Sequence, residues 1–184
     1  MNCSKCLLYV NQLPLYDKTC MKADVMWIGL SAKMYLPEEN IIPLDVSTNT
    51  GKIIRKIEEV NPEFRYYKSN LVKCAPIDTK GKLRYPTNKE MNLCFPLLCE
   101  EIQNIAPSII FLLGTKVSKF ILKKCDFSSK ITLNKDFIYQ ILPYKNTKLV
   151  SVHHPAYISV YRHKKVSEYV NAISNIIRDC LQHD

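Results

Sequence analysis

The sequence predicts an α/β protein, a three-layer α/β/α arrangement around a mostly parallel central sheet. Two observations carry this. Short apolar runs that end at glycine, asparagine or histidine alternate with stretches of helical spacing, and no repeat, low-complexity tract or long linker interrupts them. Residues 24–30 (DVMWIGL) read as the first buried strand. Residues 51–60 follow as a helix, with Ile53, Ile54 and Ile57 on one face. Residues 65–72 form a second strand closing on Asn70. Thr87 or Asn88 caps a helix running to about Ile105, whose stripe is Met91, Cys94, Leu98, Ile102 and Ile105. Pro96 inside it predicts a kink or a late start. Residues 108–113 are a third strand closed by Gly114, and 115–124 a short helix. Residues 137–142 and 149–153 read as further strands, and 166–181 as a final amphipathic helix carrying Val170, Ile173 and Ile177.

In such sheets ligands bind at the carboxyl ends of the strands. That rule selects residues 29–33, the surroundings of Asn70, Gly114 and the 153–155 segment. For Gly114 simple turn geometry is the favoured reading.

The chain has 184 residues, enough for one domain (1–184) with a core of its own. Its 47% hydrophobic and 23% charged content argues against disorder. No apolar run reaches a membrane span, and the N-terminus carries no basic-then-apolar signal region, so the cytoplasm is the expected compartment and no membrane partner is expected. Lys plus Arg number 26 against 17 Asp plus Glu, a net charge of +9. Such a surface favours a polyanion, most often nucleic acid, although a Lys-, Asn- and Ile-rich composition also follows from an AT-rich genome.

Eight cysteines in a reduced compartment point to metal or redox chemistry rather than a disulfide framework. Cys3 and Cys6 form a C-x2-C pair, able to offer two thiolates from one turn. Cys74 and Cys94 are the best candidates to complete a set of four, flanking Arg84-Tyr85-Pro86-Thr87 and Glu90.

Read in order, these pieces resemble the uracil-DNA glycosylase superfamily, and most closely its iron–sulfur branch, family 4. The shared features are the N-terminal C-x2-C at Cys3 and Cys6, the N-x-x-K-C-x-P run from Asn70 to Pro76, the R-x-P-T-x-x-E-x-x-x-C run from Arg84 to Cys94, the IIFLLG strand at 109–114, and His154-Pro155-Ala156. Together they span nearly the whole chain. The resemblance implies a 4Fe–4S cluster on Cys3, Cys6, Cys74 and Cys94, with zinc on the same thiolates as the rival. Cys20, Cys99, Cys125 and Cys180 are left as core or surface thiols.

The resemblance further implies a monomeric enzyme that flips a nucleotide out of DNA and hydrolyses its N-glycosidic bond, leaving an abasic site without strand cleavage. His154 would stabilise the departing base and Asn70 would read its edge; as isolated residues these are a helix cap and a strand-end turn residue. His153 is expected to be structural. Gly29, Leu30 and Ser31 occupy the family's first motif, G-E-[AG]-P-G, but the glutamate and second glycine are absent. Leu44 stands where the family's P-F aromatic would stack on the base. Asp45 is the candidate to aid the attacking water, with Glu38 and Glu39 weaker options, and Tyr35 is a candidate for stacking. The basic stretch Arg162-His163-Lys164-Lys165 follows 154–158 within one short loop. Beside a base pocket, Arg162, Lys164 and Lys165 would hold phosphates while Tyr157 or Ile158 wedges into the stack. Two rival expectations remain: a DNA-binding iron–sulfur module that cleaves nothing, and a glycosylase for a modified base in defence against foreign DNA.

Overall fold

A computed structural model describes residues 3, 6–19, 22–35, 41–127 and 133–182. Five strands form one sheet in the order β2-β1-β3-β5-β4. The strands β1 (Val25–Ser31), β2 (Tyr66–Val72), β3 (Ile109–Leu113) and β5 (Thr147–Val152) run parallel, and β4 (Ile141–Tyr144) pairs antiparallel to β5 at the edge. Among the described residues five α-helices accompany them: α1 (Asn49–Val60), α2 (Asn88–Ile105), α3 (Thr115–Lys124), α4 (Pro155–Tyr161) and α5 (Val166–Leu181). Among the described residues no helix is long and apolar enough to cross a membrane.

The alternation of β1 explains the layers. Met26 and Ile28 point to a core shared with α2 and α3, while Val25 and Trp27 point to a second core shared with α1, α4 and α5. A strand buried on both faces needs a continuous apolar run, which VMWIG supplies. On the second face, Trp27 stacks on Phe111 with centroids 4.7 Å apart. Ile53, Ile54 and Ile57 of α1 and Ile173 and Ile177 of α5 close over them. Each such buried side chain contributes about 1.5–3 kcal/mol.

Helix α2 starts at Asn88 and runs through Pro96, which sits on its exposed side. Its start is fixed by a capping box: Glu90 N–H donates to Thr87 Oγ1 at 3.2 Å, and Thr87 N–H donates back to Glu90 Oε2 at 2.7 Å. Arg84 adds two hydrogen bonds to the Glu90 carboxylate, at 2.6 and 2.9 Å. These contacts hold the Glu90 carboxyl far down, at about 2, the Arg84 guanidinium being the largest cause. The R-x-P-T-x-x-E pattern is therefore a structural clamp joining a loop to a helix start.

Two expectations need correction. The strand expected at 137–142 is displaced to Ile141–Tyr144, because Phe137 (φ 58°) turns left-handed and buries its ring beneath α5 instead of extending. The segment expected as one short loop after His154 is helix α4 followed by a 3-10 turn at His163–Lys165.

Candidate active site

The carboxyl ends of the parallel strands open into a cavity of about 680 Å³. Every described residue expected at the base or at the chemistry lines it. Gly29, Leu30 and Ser31 come from the end of β1, Asn70 from β2, Leu44 and Asp45 from the turn before α1, and His154 from the segment after β5. Parallel pairing is what gathers them, since neighbouring strands end on the same side.

Gly29 and Asn70 are register partners across β1 and β2. The Asn70 side chain lies over the glycine so closely that a Cβ at position 29 would stand 2.3 Å from Asn70 Oδ1 and 2.9 Å from Leu44 Cδ2. Glycine is needed here for space alone. Asn70 is 2% exposed, and its Oδ1 is buried with no hydrogen-bond partner among the described residues. A buried acceptor without a partner costs about 1–3 kcal/mol. In the pocket wall it is free to accept a hydrogen bond.

His154 is the N-cap of α4, its Nδ1 accepting the Ala156 N–H at 3.3 Å. That bond puts the ring proton on Nε2. Burial pushes the imidazole below its ordinary range, so the ring is neutral near pH 7 and presents one fixed N–H donor. The helix-cap reading of this histidine holds, and capping sets the tautomer. Gly114 (φ 96°) backs it, since a Cβ there would meet His154 Cβ at 3.2 Å. More than turn geometry holds Gly114. His153, by contrast, hydrogen-bonds Tyr139 Oη through Nδ1 at 2.8 Å, and its carbonyl accepts the Tyr169 hydroxyl at 2.8 Å.

The Leu44–Asp45 turn is pinned to α1. Leu44 is left-handed (φ 57°), and a Cβ on Gly51 would strike the Asp45 carbonyl at 2.0 Å, so only glycine lets the turn sit this close. Asp45 Oδ1 accepts the Ser47 N–H at 2.8 Å, which orients the half-buried carboxylate at the pocket wall. Tyr35 also lines the pocket, with its hydroxyl donated to the Leu13 carbonyl at 2.9 Å. Glu38, Glu39 and Cys20 lie outside the described residues.

The expected phosphate and wedge residues fall differently. Tyr157 is 45% exposed and stacks on His153 at 6.2 Å, whereas Ile158, on the inner face of α4, is fully buried and cannot wedge. Arg162 donates to the Lys135 carbonyl at 3.0 Å and its guanidinium lies 4.9 Å from the Phe137 ring centroid. Lys165 pairs with Glu168 at 2.9 Å. Both are therefore partly committed within the fold, while Lys164 is exposed. Val160 and Tyr161, which the sequence did not single out, are exposed at 52% and 76% beside Tyr157.

The four cysteines of the expected set converge from three segments: the turn in which Cys6 N–H donates to the Cys3 carbonyl at 2.9 Å, the residue just beyond β2, and the second turn of α2. All four pack on the same core. Burial pushes the Cys74 thiol up to about 12, with Cys94, Cys6 and Cys3 each adding to the rise. Burial likewise raises Cys94, with Cys6 and Cys3 adding to it. Among the described residues, no three His, Cys, Asp or Glu side chains are drawn close enough to hold a single metal ion. The donor chemistry fits a thiolate-bound group, because a coordinated cation supplies the positive charge that buried thiols need to lose their protons.

Sequence reasoning missed part of the pocket wall. Leu15, Thr50, Leu83 and Tyr85 also line it, brought in by segments far along the chain. Arg84 and Tyr85 were visible only as motif letters leading to Cys94.

Comparisons with known proteins agree with this fold. The profile of the Uracil DNA glycosylase superfamily matches residues 22–178. A type-4 uracil-DNA glycosylase of Saccharolobus solfataricus is 29% identical over 163 residues, covering 84% of this chain and 71% of the relative. The fold is similar to the crystal structure of wild-type Pedobacter heparinus SMUG2, with a TM-score of 0.57, 15% identity, and coverage of 89% of this chain and 77% of that one. With the match spanning all five strands and all but the last residues of α5, the chain belongs to the uracil DNA glycosylase superfamily.

Proposed function

We propose that this protein is a monofunctional DNA glycosylase that accepts a flipped uracil-type base, hydrolyses its N-glycosidic bond and leaves an abasic site. The observation that carries the reading is the buried, unpartnered Oδ1 of Asn70 in the same pocket as a neutral His154. A carboxamide offers an acceptor and a donor side by side, matching the N3–H and O4 edge of uracil. As the bond to C1′ breaks, its electron pair passes to the base and negative charge gathers on a carbonyl oxygen of the base. His154 Nε2–H is the donor for that charge, pre-set by the cap and needing no reorganisation. Water adds its oxygen to C1′ of the cationic sugar, and Asp45 is the carboxylate available to take its proton. No lysine attack on the sugar is required, so the strand stays intact.

The test is a panel of oligonucleotides carrying uracil, hypoxanthine or other modified bases, scored for free base. Release of uracil ahead of the others supports the reading. Release only of a different base would redirect it to modified-base removal, and release of none would leave a binding module.

The resemblance to the iron–sulfur branch and the convergence of four thiols support a 4Fe–4S cluster on Cys3, Cys6, Cys74 and Cys94. Such a cluster would tie the N-terminal turn to β2 and α2, and so to the strand carrying Asn70. Purified protein is expected to be brown and to bleach under dithionite. Cys74→Ser or Cys94→Ser removes the colour, while Cys99→Ser keeps it; colourless protein with stoichiometric zinc would overturn the assignment.

The basic segment is assigned to phosphate contact in reduced form. Because Lys165 is paired and Arg162 is tied down, Lys164→Ala should account for most of the segment's effect, flattening the slope of log affinity against log salt by about 0.9. An unchanged slope places the segment away from DNA.

A further inference from the structure

The rim of the pocket carries two large exposed side chains to which no role has yet been given, Leu83 (53%) and Tyr85 (66%). They sit on an arm, residues 77–86, that is held firmly. Ile77 and Leu83 form an antiparallel bridge. Asp78 Oδ1 closes the turn by accepting the Lys80 and Lys82 N–H groups at 2.8 and 2.9 Å. Arg84 N–H returns to the Pro76 carbonyl at 2.9 Å, and the Arg84 side chain is clamped on Glu90. The ring of Tyr85 is fixed from α3: Lys116 Nζ lies 3.4 Å from its centroid, a cation on one face. Lys116 is two residues beyond Gly114, the glycine against which His154 packs.

An aromatic ring so exposed yet so well held does little for folding. It does suit a flat ligand. The other stacking candidate, Tyr35, is only half-exposed and has its hydroxyl committed to the Leu13 carbonyl. Leu44, opposite Gly29, offers no ring.

We propose that Tyr85 is the platform on which the target base stacks inside the pocket, with Lys116 bracing the ring from behind. This inference rests on the reading that a base enters the pocket, and it adds that the stacking face comes from the arm between β2 and α2 rather than from the turn before α1.

The experiment compares binding of two oligonucleotides that differ only at the target nucleotide: one with a 2′-fluorinated deoxyuridine that resists hydrolysis, the other with a stable abasic analogue. Wild-type protein is expected to prefer the base-bearing strand. Tyr85→Ala should weaken that strand by about 5- to 150-fold, the range for losing one base-on-ring stack, and leave abasic binding unchanged. Tyr85→Phe should retain the preference, and thermal melting should show both variants folded. Equal loss on both strands makes Tyr85 a backbone contact and overturns the proposal. So does loss of the preference in Tyr35→Ala but not in Tyr85→Ala. Wild-type protein that binds both strands alike would instead sink the base-pocket reading, and the stacking role with it.

Discussion

Replacing His154 with Ala is expected to slow base release by about 10²–10³-fold, the effect of removing one preorganised donor from a developing anion. DNA affinity should persist, because phosphate contacts supply most of it. The same substitution removes the cap of α4, at a cost of about 0.5–2 kcal/mol. His154→Ser separates the two effects: Ser restores the cap but cannot reach the base, so stability recovers while the rate does not. The pH dependence follows from burial, which lowers the imidazole pKa. At neutral pH the ring carries its proton on Nε2 and the donor is intact. On the acid side, the unfolded chain takes up its proton first, near the ordinary value of about 6.5. Stability linked to His154 is therefore present above that pH and is lost as pH falls through it, until the folded ring also protonates. Protonation would also break the Nδ1 contact to Ala156. A calorimetric pH series should show a smaller acid-side loss in His154→Ser than in wild type, the remainder coming from groups such as His153, whose pKa burial also lowers.

Gly29→Ala is the second large effect. The added methyl would lie 2.3 Å from Asn70 Oδ1 and 2.9 Å from Leu44 Cδ2, so both side chains must move. Displacing a recognition group by about 1 Å costs on the order of 10²-fold in rate. Overpacking of this kind costs about 1–3 kcal/mol of stability. Base release should fall at least as far as in Asn70→Ala, while affinity for abasic DNA stays near wild type. If base release stays near wild type, Asn70 does not set the position of the base.

The strands and their carboxyl ends were legible because two-sided burial demands continuous apolar runs, and VMWIG and IIFLL supply them. Once the parallel sheet was inferred, the residues at 29–31, Asn70, Gly114 and His154 had to share one side. The clamp of Arg84 on Glu90 was legible as a motif but not as geometry. Helix α4 was legible only as the helix-cap reading of His154. Four of its seven residues, Tyr157, Ile158, Val160 and Tyr161, are β-branched or aromatic, and its cap is a histidine, an uncommon N-cap. The shift of β4 was hidden for a related reason: Phe137, Tyr139 and Ile141 alternate like a strand, but the left-handed Phe137 sends its ring and that of Tyr139 into the core from a loop. Tyr85 reaches the pocket through contacts between segments more than thirty residues apart, such as Tyr85 with Lys116, which no local pattern announces.

The most direct measurement of the central claim is a single-turnover reaction on uracil-containing DNA in water enriched with oxygen-18, with both products weighed by mass spectrometry. Hydrolysis at C1′ predicts an unbroken abasic strand and free uracil in equal amounts, no heavy oxygen on the uracil, and formation of both products about 10²–10³-fold more slowly in His154→Ala. Intact substrate after prolonged incubation with wild-type protein, or a strand cut at the target, would contradict it.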